Sequence, residues 1–77
     1  MTLLAGSGFA GFVLAGAVVS FDRDIGLGEV RAQDGTLYPF HCIEIADGSR
    51  DIAIGTVVSF GLIGKLGRYE AARLTPS

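Results

Sequence analysis

Apolar and polar positions alternate in short blocks along the chain, and these blocks predict strands rather than helices. Residues 12–21 are mostly apolar and rich in Val and Phe, and they end at the charged turn Asp22-Arg23-Asp24. Residues 27–32 alternate strictly, so that Leu27, Glu29 and Arg31 share one side. Strict alternation with period two is typical of a half-buried strand.

Three further strands are predicted at residues 37–43, 56–62 and 68–74. Asp34-Gly35 between the second and third strands is a strong signal for a tight hairpin. Pro39 has no N–H for a ladder, which predicts a sheet edge at that point. Alternation turns Tyr38 and Phe40 inward, with core packing as their expected role. Five short strands with glycine-rich connections, including a loop around Lys65, predict an all-β, antiparallel Greek-key barrel of the OB type. An SH3-like barrel is the structural alternative.

Composition fits one small domain. The chain has 77 residues, 49% of them hydrophobic, and twelve glycines. We expect residues 1–11 to be a loose lead-in and residues 12–75 to form the domain. The uncharged start is interrupted by glycines and lacks a preceding Lys or Arg. We therefore expect neither a membrane span nor a secretion signal.

Charge and cysteine content limit the classes of partner. The net charge is −2, with one Lys and five Arg, so the chain lacks the broad basic surface of a typical nucleic-acid binder. Binding to nucleic acid would have to use a local basic patch. The single Cys42 excludes an intramolecular disulfide and favours a reducing, cytoplasmic location. One His and one Cys cannot complete a zinc site, so we expect no metal and no cofactor.

Three segments carry a family resemblance at matching spacing. Gly16-Ala17-Val18-Val19-Ser20-Phe21-Asp22 is similar to the Gly-x-Val-Lys-Trp-Phe-Asn of the cold-shock domain. Ile25–Val30 stands where that family has Lys-Gly-Phe-Gly-Phe-Ile, and Tyr38–Cys42 where it has Val-Phe-Val-His-Phe. Residues 54–60 resemble its Glu-Gly-x-x-Val-x-Phe. The chain thus resembles a divergent cold-shock domain over roughly residues 14–75, and an OB fold is implied.

The resemblance implies single-stranded RNA or DNA as ligand, with bases stacked on aromatic rings of the first three strands. His41 keeps its ring, and Phe21 matches a partial contact of some members. The other ring positions are changed, and losing about three stacks would remove roughly 3–9 kcal/mol of binding. The replacing residues are Ser20, Leu27, Glu29, Pro39 and Cys42.

Two functions follow as hypotheses. The first is weak or altered binding of single-stranded nucleic acid through the face of strands 1–3. The second is an OB-type protein-interaction module, using the same face, that has lost nucleic-acid binding. For His41, Leu27 and Pro39 the simpler alternative is ordinary exposed surface, and for Arg31 and Lys65 it is a solvated charge. We expect no enzyme, because no nucleophile–base pair or paired carboxylates are evident, and no membrane partner. The candidate binding residues are His41, Phe21, Leu27, Pro39, Arg31 and Lys65.

Overall fold

In the computed structural model, which describes residues 13–77, one five-stranded antiparallel sheet accounts for more than half of the described residues. This confirms the all-β, five-stranded antiparallel prediction. The expected lead-in at residues 1–11 lies outside the described residues. The strands are β1 (Leu14–Asp22), β2 (Leu27–Ala32), β3 (Leu37–His41), β4 (Val57–Lys65) and β5 (Arg68–Pro76), with a 3₁₀ turn at Cys42–Glu44 after β3.

The strands lie in the order β3-β2-β1-β4-β5. Pro39 therefore belongs to an end strand, as its missing N–H predicts. Within residues 13–77, β3 and β5 approach each other but form no ladder, so the sheet does not close into a barrel. β3 ends at His41 after only five residues, which leaves little strand to pair with β5. A single parallel bridge joins Ile45 to Leu74, and the Ala46 N–H donates to the Leu74 carbonyl at 2.8 Å.

The inner face of the sheet forms the core. Tyr38 and Phe40 point into it, as the alternation predicts. The Phe40 ring stacks parallel to that of Phe21, with centroids 5.8 Å apart. Tyr38 packs at a tilt against Phe60 at 6.0 Å. Burial of such apolar area is the main favourable term in folding. The most deeply buried large side chains are Phe40, Phe60, Leu74, Val18, Val30 and Val58.

A β-bulge in β1 separates the two ends of that strand. Val18 pairs with Val30, but the next paired residue of β1 is Ser20, opposite Glu29. Val19 is therefore the extra residue, and a bulge bends its strand and increases the local twist. The bend lies just after β1 stops pairing with β4, which it does from Leu14 to Ala17, while its pairing with β2 continues on both sides of the bulge.

Two exposed turns are closed by aspartate side chains. Asp34 accepts a hydrogen bond from the Thr36 N–H at 2.9 Å, and Asp47 accepts one from the Ser49 N–H at 2.8 Å. Each bond favours the charged carboxylate and so lowers the pKa of that aspartate below its usual value. These turns follow the Asx pattern expected of Asp-x-Thr and Asp-x-Ser.

Among residues 13–77, no helix has the length and apolar character that crossing a membrane would require.

Candidate functional site

Strand register brings three of the candidate residues together on the outer face of the sheet. Leu27 on β2 lies directly opposite His41 on β3, and Pro39 on β3 lies opposite Glu29 on β2. Directly opposed residues in antiparallel strands have Cα atoms about 4.5–5.5 Å apart. Leu27, Pro39 and His41 therefore form one continuous patch, which we call the β2–β3 patch.

The β1 side of this patch is polar. Ser20 lies opposite Glu29, and its hydroxyl donates to a Glu29 carboxylate oxygen at 3.4 Å. Asp22 lies opposite Leu27. Two carboxylates thus border the patch along β1 and β2. They oppose the approach of a phosphate to this border of the patch.

Arg31 lies on the same side of β2 as Leu27 and Glu29, two residues after Glu29. It is exposed and lies opposite Leu37, which is also exposed. Its guanidinium can pair with a phosphate in bidentate fashion. Arg31 thus provides a cation at the end of the face that is remote from His41.

Phe21 is separated from the other candidates. It occupies an inner row with Gly28 and Phe40, and its half-buried ring packs against the core. Neighbouring residues of a strand point to opposite faces, so Ser20 and Phe21 cannot both face outward. The structure therefore gives Phe21 a packing role in this conformation.

A cleft lies at the gap between β3 and β5, which we call the open seam. It adds two residues to the candidate binding residues named from the sequence. It has a volume of about 140 Å³ and lies between the β2–β3 patch and the start of β5. Arg68 and Glu70 line it from β5, opposite Pro39 and His41. The period-two spacing of Arg68 and Glu70 puts them on one side of β5, but sequence alone does not pair β5 with β3. Its lining residues are Leu27, Gly28, Pro39, Phe40, His41, Arg68 and Glu70.

Glu70 organises the charges around this cleft. Its side chain is only 7% exposed, and its two oxygens lie 3.4 Å from Lys65 Nζ and 3.3 Å from an Arg68 guanidinium nitrogen. A buried carboxylate needs such partners, because an unpaired charge removed from water is strongly destabilising. Lys65, at the end of β4, is thereby held beside Glu70. The side chains of Lys65 and Arg68 are both exposed, so they can also contact a ligand.

Exposed apolar side chains also occur on the chain segments that adjoin Leu27 and His41. Ile25 and Ile43 are about two-thirds exposed, and Leu27 is 41% exposed. The Cys42 N–H donates to the Gly26 carbonyl at 2.8 Å, which holds the two chain segments together at this end. Cys42 itself is half-buried against the core.

Among residues 13–77, His41 has the one aromatic ring on the outer face of β1–β3, and no Phe or Tyr ring lies there. Four of the described Phe and Tyr rings, those of Phe21, Tyr38, Phe40 and Phe60, pack in or against the core. Tyr69 on β5 has the remaining ring, and it is exposed. In the same part of the chain, no three His, Cys, Asp or Glu side chains come together in a group that could hold a metal ion.

No protein-family model matches this chain, and a search of curated proteins finds no matching sequence.

Proposed function

We propose that this protein is a divergent OB-type domain of the cold-shock kind that binds single-stranded RNA or DNA weakly. The strand order supports the fold part of the proposal. An OB fold is a five-stranded, partly open Greek-key barrel. The order β3-β2-β1-β4-β5, with β3 returning beside β5 and a parallel bridge between Ile45 and Leu74, is compatible with such a barrel open at one seam.

The position of the patch supports the binding part. OB folds bind oligonucleotides with the face of strands 2 and 3 and with the loops after strand 1 and between strands 4 and 5. Here that region holds the contiguous β2–β3 patch of Leu27, Pro39 and His41. Arg31 lies at one end of the face, and Lys65 and Arg68 lie across the seam. The proposal rests on this patch, which lies between Arg31 on one side and the pair Lys65 and Arg68 on the other.

The same region explains why binding should be weak. Of the family's stacking rings only His41 is kept on the outer face, and each base–aromatic stack contributes about 1–3 kcal/mol. Asp22 and Glu29 repel phosphates close to the patch. We therefore expect the bases to contact Leu27 and Pro39 by apolar packing, with His41 providing the ring on this face.

A titration tests the proposal. A fluorescent single-stranded DNA of mixed sequence is titrated with protein at low salt, and anisotropy is measured for the wild type and for His41→Ala. We expect saturable binding and a loss of at least about fivefold in affinity for His41→Ala, the effect of removing one weak stack. Thr75→Ala, an exposed change elsewhere on β5, serves as the matched control and should bind like the wild type. Absence of wild-type binding at about 500 µM protein, roughly 4–5 kcal/mol of affinity, would contradict the proposal.

A protein-interaction module is the second candidate, and one observation favours it. Leu27 lies opposite His41, Ile25 and Ile43 are the neighbours of the hydrogen-bonded Gly26 and Cys42, and all three side chains are exposed. Exposed apolar clusters are frequent in protein interfaces. A photo-crosslinker placed at Ile43 would test it in cells. Capture of one defined protein, lost when Leu27 is changed to Ser, would favour this candidate if the DNA titration is negative. Crosslinks that do not depend on Leu27 would count against it.

A further inference from the structure

Among residues 13–77, the one exposed Phe or Tyr ring lies outside the β1–β3 face. Tyr69 is 57% exposed and stands on β5, next to the turn that joins β4 to β5. The residue opposite it on β4 is Gly64. A Cβ atom at Gly64 would lie 4.0 Å from Tyr69 Cε1, so the ring extends over the glycine. Because Gly64 has no side chain, nothing on that position limits access to the ring.

The turn beside Tyr69 forms a concave surface with cationic edges. Gly64 to Tyr69 line a depression of about 330 Å³. Lys65 and Arg68 lie on either side of the two-residue turn and face each other in the strand register. Both side chains are exposed, and the single carboxylate they share, that of Glu70, leaves one net positive charge at this end of the hairpin.

We propose that Tyr69 is a stacking platform for one base of a single-stranded nucleic acid, with Lys65 and Arg68 contacting the adjoining phosphates. This inference rests on the proposed nucleic-acid binding and gives it a second subsite. Arg68 lines both this depression and the cleft beside His41. Consecutive residues of β5 point to opposite faces, so a strand bound at the β2–β3 patch would reach Tyr69 by passing around the end of the hairpin at Arg68. Tyr69 thereby compensates in part for the rings missing from the outer face of β1–β3.

The alternative is that Tyr69 has only a structural role. An aromatic side chain placed across from a strand glycine can stabilise a sheet by covering the exposed backbone. A structural role predicts that Tyr69→Leu lowers the unfolding temperature and leaves the affinity of the folded protein unchanged. A stacking role predicts a loss of affinity and a direct optical signal from the ring.

Intrinsic fluorescence gives that signal. The chain has no Trp and two Tyr, so in a Tyr38→Phe variant all tyrosine emission comes from Tyr69. Oligothymidylate is added to this variant at low salt. We expect quenching that saturates with the same dissociation constant as the anisotropy of a labelled oligonucleotide. Binding by anisotropy without any quenching of Tyr69 would overturn the inference while leaving the proposed function intact.

Variants at position 69 complete the test. Tyr69→Leu should weaken binding about 5- to 140-fold, the effect of one lost base stack, whereas Tyr69→Phe should retain wild-type affinity. Circular dichroism and thermal unfolding identify the temperature at which each variant is folded, and affinities are compared there. Equal affinities for Tyr69→Leu and wild type would contradict a stacking role. A wild type that binds no oligonucleotide in either assay would instead refute the proposed function.

Discussion

At the scale of single residues, Gly28 shows how closely the outer face depends on the core behind it. A Cβ atom at Gly28 would lie 2.6 Å from Phe40 Cζ and 2.6 Å from the Ser20 carbonyl oxygen. The carbonyl belongs to the paired β1 backbone and cannot move aside without breaking the ladder. Gly28 therefore allows the Phe21 and Phe40 rings to stack beneath Leu27 and Glu29.

Gly28→Ala should destabilise the protein by about 1–3 kcal/mol, because the added methyl group would collide with the Phe40 ring and with the Ser20 carbonyl of the β1 backbone. Urea unfolding followed by circular dichroism measures this change. Gly64→Ala is the matched control, since its Cβ atom would meet only Tyr69 at an ordinary contact distance. We expect Gly64→Ala to be neutral or to stabilise by about 0.5 kcal/mol, the entropic gain of replacing glycine. A Gly28→Ala variant as stable as Gly64→Ala would show that β1, β2 and β3 are not packed as described.

At the scale of elements, the β4–β5 hairpin has a turn whose sequence does not match its geometry. Leu66 and Gly67 both have positive φ, 46° and 84°, and they form a two-residue connection between Lys65 and Arg68. This is the pattern of a type I′ turn, which favours Asn-Gly. A leucine pays a steric penalty there that asparagine largely avoids. Leu66 is also fully exposed, so its side chain gains nothing from burial.

Leu66→Asn should therefore stabilise the hairpin, by about 0.5–1 kcal/mol. For a domain of this size the expected rise in unfolding temperature is about 2–8 °C, measurable by calorimetry. Leu66→Ala removes the same exposed side chain without the preference for positive φ, so it should bring no such gain. If Leu66→Ala stabilises the protein as much as Leu66→Asn, the gain comes from removing the exposed leucine side chain and not from a better fit to the turn geometry.

The same hairpin shows where local sequence signals mislead. Gly61, Gly64 and Gly67 predict a loop around Lys65, yet β4 continues to Lys65 and only Leu66 and Gly67 form the turn. Gly61 is buried opposite Ala72, and Gly64 lies opposite Tyr69. Two of the three glycines therefore serve close packing and cross-strand contact within a strand, a use of glycine that looks the same as a loop signal in a single sequence.

At the scale of the whole molecule, local sequence patterns predict the strands, but contacts between distant parts of the chain form the cleft beside His41. Alternation in residues 27–32 and the Asp34-Gly35 turn predict β2, its hairpin and the shared side of Leu27 and Arg31. The proximity of β5 to β3 depends on residues about 30 positions apart in sequence, such as His41 and Arg68. No periodicity encodes that contact, so the cleft, the buried Glu70 and the open seam could only be learned from the structure.

The distribution of charge over the whole molecule leads to a last prediction, which concerns salt. With a net charge of −2, long-range attraction of nucleic acid is absent, and binding must depend on the few cations near the face. Arg31, Lys65 and Arg68 are the three candidates. Each phosphate contact to a single strand contributes about −0.7 to the slope of log affinity against log salt, so three contacts give a slope of about −2.

Arg68→Gln should reduce that slope by about 0.7 and weaken binding uniformly across sequences, because phosphate contacts do not read bases. Glu70 keeps Lys65 as a partner in this variant, so the buried carboxylate is not left unpaired. Arg50→Gln removes the same charge from the exposed loop before β4 and should leave the slope unchanged. A reduction of equal size in both variants would show that binding responds to net charge alone. In that case the cations across the seam would have no specific place in the interface, and the path from His41 across Arg68 to Tyr69 would lose its electrostatic support.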